Sequence, residues 1–335
     1  MKITFFETDK KEEKYLKDKF TKVKANVKFY NGELSLRNVK KAKDSEIIVL
    51  FIGSKINREI LQKLPKLKYI ATMSTGFDHI DLDACKKRKI TVSNVPFYGE
   101  NTVAEHTFAL ILALSRKIHE AITKTKNDNF SLDGLEGFDL KGKTLGVIGA
   151  GHIGQHVIRI AKGFEMNIVV LDNRKDKELA KSLGFTHVTL NELLKKSNII
   201  TIHAPYNEDT RHMINMNNIK MIKKGAYLIN TARGGIVDTI ALKYALDNNI
   251  LAGAGLDVLE GEDDIKEEKE LLKKNVDHER WQLFIRNHLL LKNGNVIVTP
   301  HSAFYSKEAS ERILDTTIEN ILGYIKGKKV NSVIR

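Results

Sequence analysis

The chain has 335 residues, 42% of them hydrophobic and 29% charged, with one cysteine and a formal net charge of +13. That length predicts two domains, each able to bury its own core. A lone Cys85 excludes an internal disulfide and reads as a packing residue; with an N-terminus, MKITFFETDK, that shows no cleavable apolar stretch, it points to a cytoplasmic protein.

The longest apolar run, residues 108–114, is too short to cross a bilayer, so no membrane partner is expected. Lysines are scattered in twos and threes among acids, without the interleaved aromatics that stack bases. The excess charge therefore reads as a solvated surface that attracts an anionic substrate, with no nucleic-acid partner.

In the first hundred residues, apolar runs of strand type at 3–6, 27–30, 47–52, 69–71 and 90–92 alternate with lysine-rich helical stretches such as 11–22. Strands alternating with helices predict a parallel sheet wound on both faces. After the fourth run, Met73-Ser74-Thr75-Gly76-Phe77 reads equally as a small anion nest of backbone N–H groups or as a plain turn. Val95-Pro96-Phe97-Tyr98-Gly99-Glu100-Asn101 breaks the pattern and leads into a helix at 102–117. Its stretch 108–114 is apolar all round, which predicts burial between domains or between subunits. The first domain is expected to end near residue 100.

Residues 143–172 organise the rest. A short strand at 144–148 runs into Gly149-Ala150-Gly151-His152-Ile153-Gly154, then an amphipathic helix, then a strand at 168–171 closed by Asp172. In this context the glycines are a dinucleotide fingerprint: Gly149 for the tight turn, Gly151 for close approach of a pyrophosphate, Gly154 for packing of helix on strand. The phosphates are expected at the positive end of that helix, next to His152 and Ile153. Asp172, 18 positions past Gly154, matches the acid that holds the ribose hydroxyls and predicts NAD over NADP, although Arg174 stands within reach of a 2′-phosphate.

Four further strands each end in a polar cluster. Residues 198–202 lead to His203-Ala204-Pro205, 226–229 to Asn230-Thr231-Ala232-Arg233-Gly234-Gly235, 253–256 to Asp257 through Glu262, and 296–298 to Thr299-Pro300-His301-Ser302-Ala303-Phe304-Tyr305. Open α/β sheets bind their ligands at the carboxyl ends of strands, so these clusters are candidates to line a coenzyme and substrate site. Between the last two lies a charge-dense insertion, residues 263–292, whose only trace of core is Trp281, Leu283, Phe284 and Ile285; it reads as surface cover or a partner contact.

Hydride transfer between nicotinamide and a hydroxy acid needs a cation for the carboxylate, a group that exchanges the hydroxyl proton, and a companion that tunes that group. Arg233 offers a planar fork for the first role. His301 supplies an imidazole, the side-chain type that can act as base or acid near neutrality, and suits the second. Glu262 suits the third, fixing the imidazole tautomer from its far nitrogen. Singly, each has an ordinary reading as a loop arginine, a satisfied histidine or a surface glutamate. Together, at three strand ends behind a dinucleotide turn, they form a catalytic constellation that asks for no metal.

The glycine turn with Asp172, the run 230–235 around Arg233, Gly255-Leu256-Asp257-Val258 with Glu262 behind it, and Thr299-Pro300-His301 resemble the D-isomer-specific 2-hydroxyacid dehydrogenases over nearly the whole chain. The resemblance implies an α/β fold of two doubly wound parallel-sheet domains with a cleft between. Residues 1–100 and 300–335 would form a discontinuous, flavodoxin-like substrate domain, and residues 101–299 a Rossmann-type NAD-binding domain. It implies Arg233, Glu262 and His301 as the catalytic residues, with Asp257 supporting them near the nicotinamide. Gly149, Gly151, His152, Ile153, Gly154, Asp172, His203, Ala204, Pro205, Thr231 and Ala232 would hold NAD. Backbone N–H groups of Ser74, Thr75 and Gly76 would receive the substrate carboxylate.

A homodimer is implied too, with the helix at 102–117 and the central domain at its interface. His301 through Tyr305 and Pro96-Phe97-Tyr98 resemble the D-lactate dehydrogenase branch, in which Tyr98 and Phe304 would close over a small side chain. That suggests pyruvate and D-lactate. Gly53 stands about where such members often carry an aromatic, which leaves glyoxylate, hydroxypyruvate or a longer 2-oxo acid open. Glu262 argues against the formate branch, and the early end of the chain against the long phosphoglycerate dehydrogenases. The rival from another class is a dinucleotide-sensing binding protein of corepressor type.

Overall fold

The structure, a computed structural model, describes residues 1–21, 23, 25–262 and 278–334. The chain divides into two compact units, Met1–Tyr98 with Ser306–Arg335, and Gly99–Tyr305.

In the first unit β1 (Lys2–Phe5), α1 (Lys10–Phe20), β2 (Asn26–Phe29), β3 (Ile47–Leu50), α2 (Arg58–Gln62), β4 (Tyr69–Thr72), α3 (Leu82–Lys87) and β5 (Thr91–Ser93) follow in turn. The sheet is parallel with order β2-β1-β3-β4-β5, the flavodoxin-like order. β3 and β4 are buried at every residue, because a parallel sheet covered on both faces needs continuous apolar runs rather than alternation. Asp9 starts α1 with a capping box that includes Glu12, and Leu16 and Phe20 are its buried residues. The C-terminal helix Lys307–Ile325 returns to this unit: Tyr324 stacks on Tyr69 at 4.2 Å, and Asn320 Nδ2 donates to Asn94 O at 2.8 Å. Cys85 is buried, and burial pushes its thiol up to about 11, so it is inert packing.

The second unit runs α4 (Glu100–Ser115), α5 (Ile118–Lys126), β6 (Thr144–Ile148), α6 (His152–Gly163), β7 (Asn167–Leu171), α7 (Lys177–Leu183), β8 (Thr186–His187), α8 (Leu190–Lys196), β9 (Ile199–Ile202), β10 (Ala226–Asn230), α9 (Thr239–Asp247), β11 (Leu251–Leu256), α10 (His278–Leu291) and β12 (Val296–Val298). Its parallel sheet has order β12-β11-β10-β9-β6-β7-β8, with the direction of winding reversing beside β6.

The register of this sheet positions everything that follows. Leu171, Ile148, Ile202, Asn230, Leu256 and Val298 pair across six neighbouring strands in a single row. The next residues along those strands are Asp172, Gly149, His203, Thr231, Asp257 and Thr299, so every sequence-derived cluster of this unit leaves the sheet at one level.

Two expectations are corrected. The apolar helix is not buried all round: in α4, Ala104, Phe108, Leu110, Ile111 and Leu114 are buried in the core of their own unit while Ala109 is exposed. Its burial comes from packing on α6 and β11, where the Leu110 Cβ lies 3.0 Å from where a side chain at Gly255 would stand. In α10 the buried residues are Asn287 and Leu290, with Ile285 54% exposed, because the helix packs against α9 and β12 through that other face. The rest of the insertion, residues 263–277, lies outside the described residues. α8 begins at Thr189, whose side chain forms a capping box with Glu192.

Candidate active site

The glycine turn is built as its spacing predicts. Gly149 has φ +95°, and a Cβ there would meet His203 and Ala204 backbone at 2.8 Å. A Cβ on Gly154 would lie 2.0 Å from Gly149 O, so α6 closes directly on the turn. Gly151 is different: a Cβ there would meet nothing within 4 Å. It is also the N-cap of α6 and makes no side-chain cap hydrogen bond, so no side chain of its own covers the N–H groups of the first turn. An open approach over uncapped N–H groups at the positive helix end fits a pyrophosphate.

Asp172 Oδ2 accepts from Ala150 N at 2.6 Å and Oδ1 from Arg174 N at 2.8 Å, which fixes the carboxylate beside the turn. Arg174 Nε is 3.5 Å from Asp172 Oδ1, so this guanidinium lies against the acid. His203 Nε2 is 2.9 Å from Thr201 Oγ1, and burial pushes its imidazole down to about 3, so it is neutral at physiological pH. Thr231 Oγ1 lies 3.0 Å from Thr107 Oγ1 of α4.

Arg233, Glu262 and His301 all belong to the second unit, in loops after the adjacent strands β10, β11 and β12. Adjacent strands are about 4.8 Å apart, so loops leaving at one level are neighbours. His301 Nδ1 is 2.7 Å from Glu262 Oε1, with side chains only 18% and 22% exposed. The Arg233 loop is braced by Asn230, whose Oδ1 accepts from Ala232 N at 3.0 Å and whose Nδ2 donates to Arg233 O at 2.9 Å. Gly234 then lets this loop touch the next: a Cβ there would lie 2.1 Å from Leu259 C and 2.3 Å from Glu260 N.

Asp257 is 1% exposed, and its contacts point inward. Its carboxylate accepts from Ser302 N and Ala303 N, both at 2.9 Å, and from Thr299 Oγ1. Its backbone O accepts from His301 N at 2.9 Å, and its N donates to Asn230 O at 2.9 Å. Asp257 thus ties the arginine loop to the histidine loop. His301 itself has φ +54°, a left-handed conformation that costs a residue with a Cβ about 1 kcal/mol or more and persists where neighbours over-determine it.

Glu260 and His106 carry no sequence signal strong enough to single them out, and Thr299 is marked only by its place in the run Thr299-Pro300-His301. Glu260 accepts from His212 Nε2 at 2.6 Å and from Thr239 Oγ1 at 2.9 Å, which braces the loop that presents Glu262. Thr299 and His106 stand behind His301, their Oγ1 and Nε2 3.1 Å apart. In the first unit Ser74 is buried and donates to Gly76 O at 2.7 Å, Thr75 Oγ1 donates to Val95 O at 2.8 Å, and Tyr98 O accepts from Arg312 Nε at 2.6 Å. Phe304 packs edge-on against Tyr305 in the second unit. Among the described residues no group of three or more His, Cys, Asp or Glu is arranged to hold a metal ion.

The family model for the D-isomer specific 2-hydroxyacid dehydrogenase, NAD binding domain, matches residues 108–303. The chain belongs to that family. This D-2-hydroxyacid dehydrogenase is therefore an NAD-dependent oxidoreductase with a Rossmann-type coenzyme domain. It is 35% identical to the D-lactate dehydrogenase of Escherichia coli K12 over 330 residues, 98% of each chain. It is also 35% identical to the glyoxylate reductase of Thermococcus litoralis over 297 residues, 87% of this chain and 83% of that one. Among solved structures it resembles the D-lactate dehydrogenase of Aquifex aeolicus complexed with NAD and lactic acid, with a TM-score of 0.90, 37% identity and 99% of each chain covered.

Proposed function

We propose that this D-2-hydroxyacid dehydrogenase interconverts pyruvate and D-lactate, with His301 as acid and base, Glu262 as its companion and Arg233 as the substrate-binding cation. The observation that carries the assignment is the 2.7 Å bond between His301 Nδ1 and Glu262 Oε1, in a loop next to that of Arg233. With Nδ1 engaged, Nε2 is the ring atom left for proton exchange. In reduction, protonated His301 gives the Nε2 proton to the carbonyl oxygen as it becomes a hydroxyl; in oxidation the neutral ring takes that proton back. Glu262 holds the ring orientation and balances the charge that forms. Arg233 grips the carboxylate with its fork and stabilises the oxygen on which negative charge develops.

Gly149 through Gly154 would hold the coenzyme pyrophosphate and Asp172 the ribose hydroxyls, with residues 203–205, Thr231 and Ala232 beside them. Bound NADH supplies the hydride to C2 of the oxo acid. Ser74, Thr75 and Gly76 would receive the substrate carboxylate on backbone N–H groups, with Tyr98 and Phe304 closing over its side chain.

Likeness to the D-lactate dehydrogenases supports pyruvate. Equal identity to a glyoxylate reductase keeps glyoxylate on the panel. Gly53 bears on this choice, because the space a side chain would take there is filled by the Glu33 and Glu7 carboxylates, 2.2 and 2.7 Å from its Cβ position. NADH absorbance with pyruvate, glyoxylate, hydroxypyruvate and longer 2-oxo acids is expected to give the highest kcat/KM with pyruvate. A higher value with another acid overturns the substrate, and no consumption with any of them favours the sensor reading. His301→Ala is expected to lower turnover by about 10² to 10⁴.

We infer a cytoplasmic homodimer. Supporting the dimer, Ile118 and Ile122 of α5 and Phe130 and Leu132 just after it are 46%, 48%, 79% and 82% exposed, four large apolar side chains within fifteen residues that a single subunit leaves in water. Sedimentation of the Phe130→Asp, Leu132→Asp double variant is expected to report a monomer where the parent is a dimer. Among the described residues no helix is long and apolar enough to cross a membrane.

A further inference from the structure

We propose that His106 is a positioning residue for His301, acting through Thr299 and Asp257; the proposal rests on the reading of His301 as the acid and base. His106 projects from α4 with 23% of its side chain exposed, its Nε2 3.1 Å from Thr299 Oγ1 and 3.6 Å from Asp257 Oδ1. The threonine hydroxyl has a single proton, and it goes to the Asp257 carboxylate, which receives donors only. Thr299 is therefore the acceptor towards His106, which assigns the proton to Nε2 of that ring. One directed chain results: His106 N–H to the Thr299 oxygen, Thr299 O–H to Asp257.

This chain ends on the group that shapes the His301 turn. Asp257 takes the N–H of Ser302 and Ala303 on its carboxylate and that of His301 on its backbone oxygen. His301 N also reaches Thr299 O at 2.9 Å, so the one N–H of the left-handed histidine is shared between the carbonyls of Thr299 and Asp257. Removing the His106 donor leaves the Thr299 hydroxyl held by Asp257 alone, and the turn loses the tie that joins it to a helix already buried in the core. The imidazole at its tip then samples orientations in which Nε2 misses the substrate oxygen. An ångström-scale error there costs about 10²-fold in turnover, while the fold, which does not depend on that orientation, persists.

The test compares His106→Leu, His106→Gln, Thr299→Val and the His106→Leu, Thr299→Val double variant in the full-length holoenzyme. Measured are kcat and KM for the best 2-oxo acid, the NADH dissociation constant, the melting temperature, and the proton resonance of the His301 Nδ1–H bond to Glu262. His106→Leu is expected to lower kcat about tenfold or more, with NADH affinity and melting temperature near those of the parent and the resonance broadened. His106→Gln, which keeps an N–H on a side chain of similar reach, is expected to recover most of the loss. The double variant is expected to be no worse than the poorer single one, since both break one chain. A His106→Leu enzyme within twofold of the parent overturns the proposal, as does failure of glutamine to rescue or additive losses in the double variant. His301→Ala separates the two readings: if it stays active, the acid and base assignment falls; if it is inactive while His106→Leu is not, only the positioning role falls.

Discussion

Replacing Gly234 by alanine adds a single methyl group between two loops that carry different parts of the site. Its carbon would stand 2.1 Å from Leu259 C and 2.3 Å from both Leu259 O and Glu260 N, where ordinary contact begins at 3.4 Å. The neighbours are backbone, not the far end of a flexible side chain, so the arginine loop and the Glu262 loop must separate by more than an ångström. Overpacking of this kind costs about 1–3 kcal/mol of stability. The catalytic effect is larger, because displacement on that scale takes reacting groups out of register and lowers kcat/KM about 10²-fold. The assay is NADH consumption with the best 2-oxo acid, beside thermal melting and NADH binding. Coenzyme affinity is expected to stay near that of the parent, since the glycine turn after β6 is untouched. A Gly234→Ala enzyme with parental kcat/KM would refute the claim that contact between these loops sets the site.

Gly151→Ala makes the opposite test: with nothing within 4 Å of the added carbon the melting temperature is expected to hold, while NADH binding weakens by about 1.4 kcal/mol or more, tenfold in dissociation constant. Unchanged NADH affinity would show that no phosphate approaches there. Arg233→Lys exchanges a planar fork for a point charge and is expected to cut kcat/KM for the oxo acid about 10²-fold with NADH affinity retained, measured by steady-state kinetics and fluorescence titration. His203 makes stability depend on pH. Its folded value, near 3, lies below the ordinary 6.5, so between those values the unfolded chain binds more protons. Stability from the buried neutral ring is therefore complete above about pH 6.5 and declines as pH falls towards 3. In His203→Gln the decline in melting temperature over that window is expected to be shallower than in the parent, and parallel curves would refute the assignment.

How much of this was legible beforehand follows from what local sequence encodes. Strand and helix alternation, the strained turn at Gly149, the close approach at Gly154 and the acid after β7 are decided within about thirty residues of chain, and sequence reasoning reaches them through spacing alone. The two-unit α/β fold follows from that alternation together with the family resemblance. What spacing does not encode is who stands beside whom. β9 pairs with β6, its partner across two intervening strands in the chain, and it is this winding that brings residues 149, 203, 231, 257 and 299 to one level. His301 meets Glu262 across 39 positions and Thr299 meets His106 across 193, contacts fixed by sheet order and by the packing of α4. For the same reason α4 read as apolar all round, since composition records that a helix is greasy but not which side finds the core. The two glutamates at 260 and 262 show the limit most clearly. Chemically they are identical and two residues apart, yet one braces a loop against His212 and the other holds His301, because the chain turns between them, with Gly261 at φ +66° and Glu262 N donating to Leu259 O, and only the folded chain decides what waits on each side.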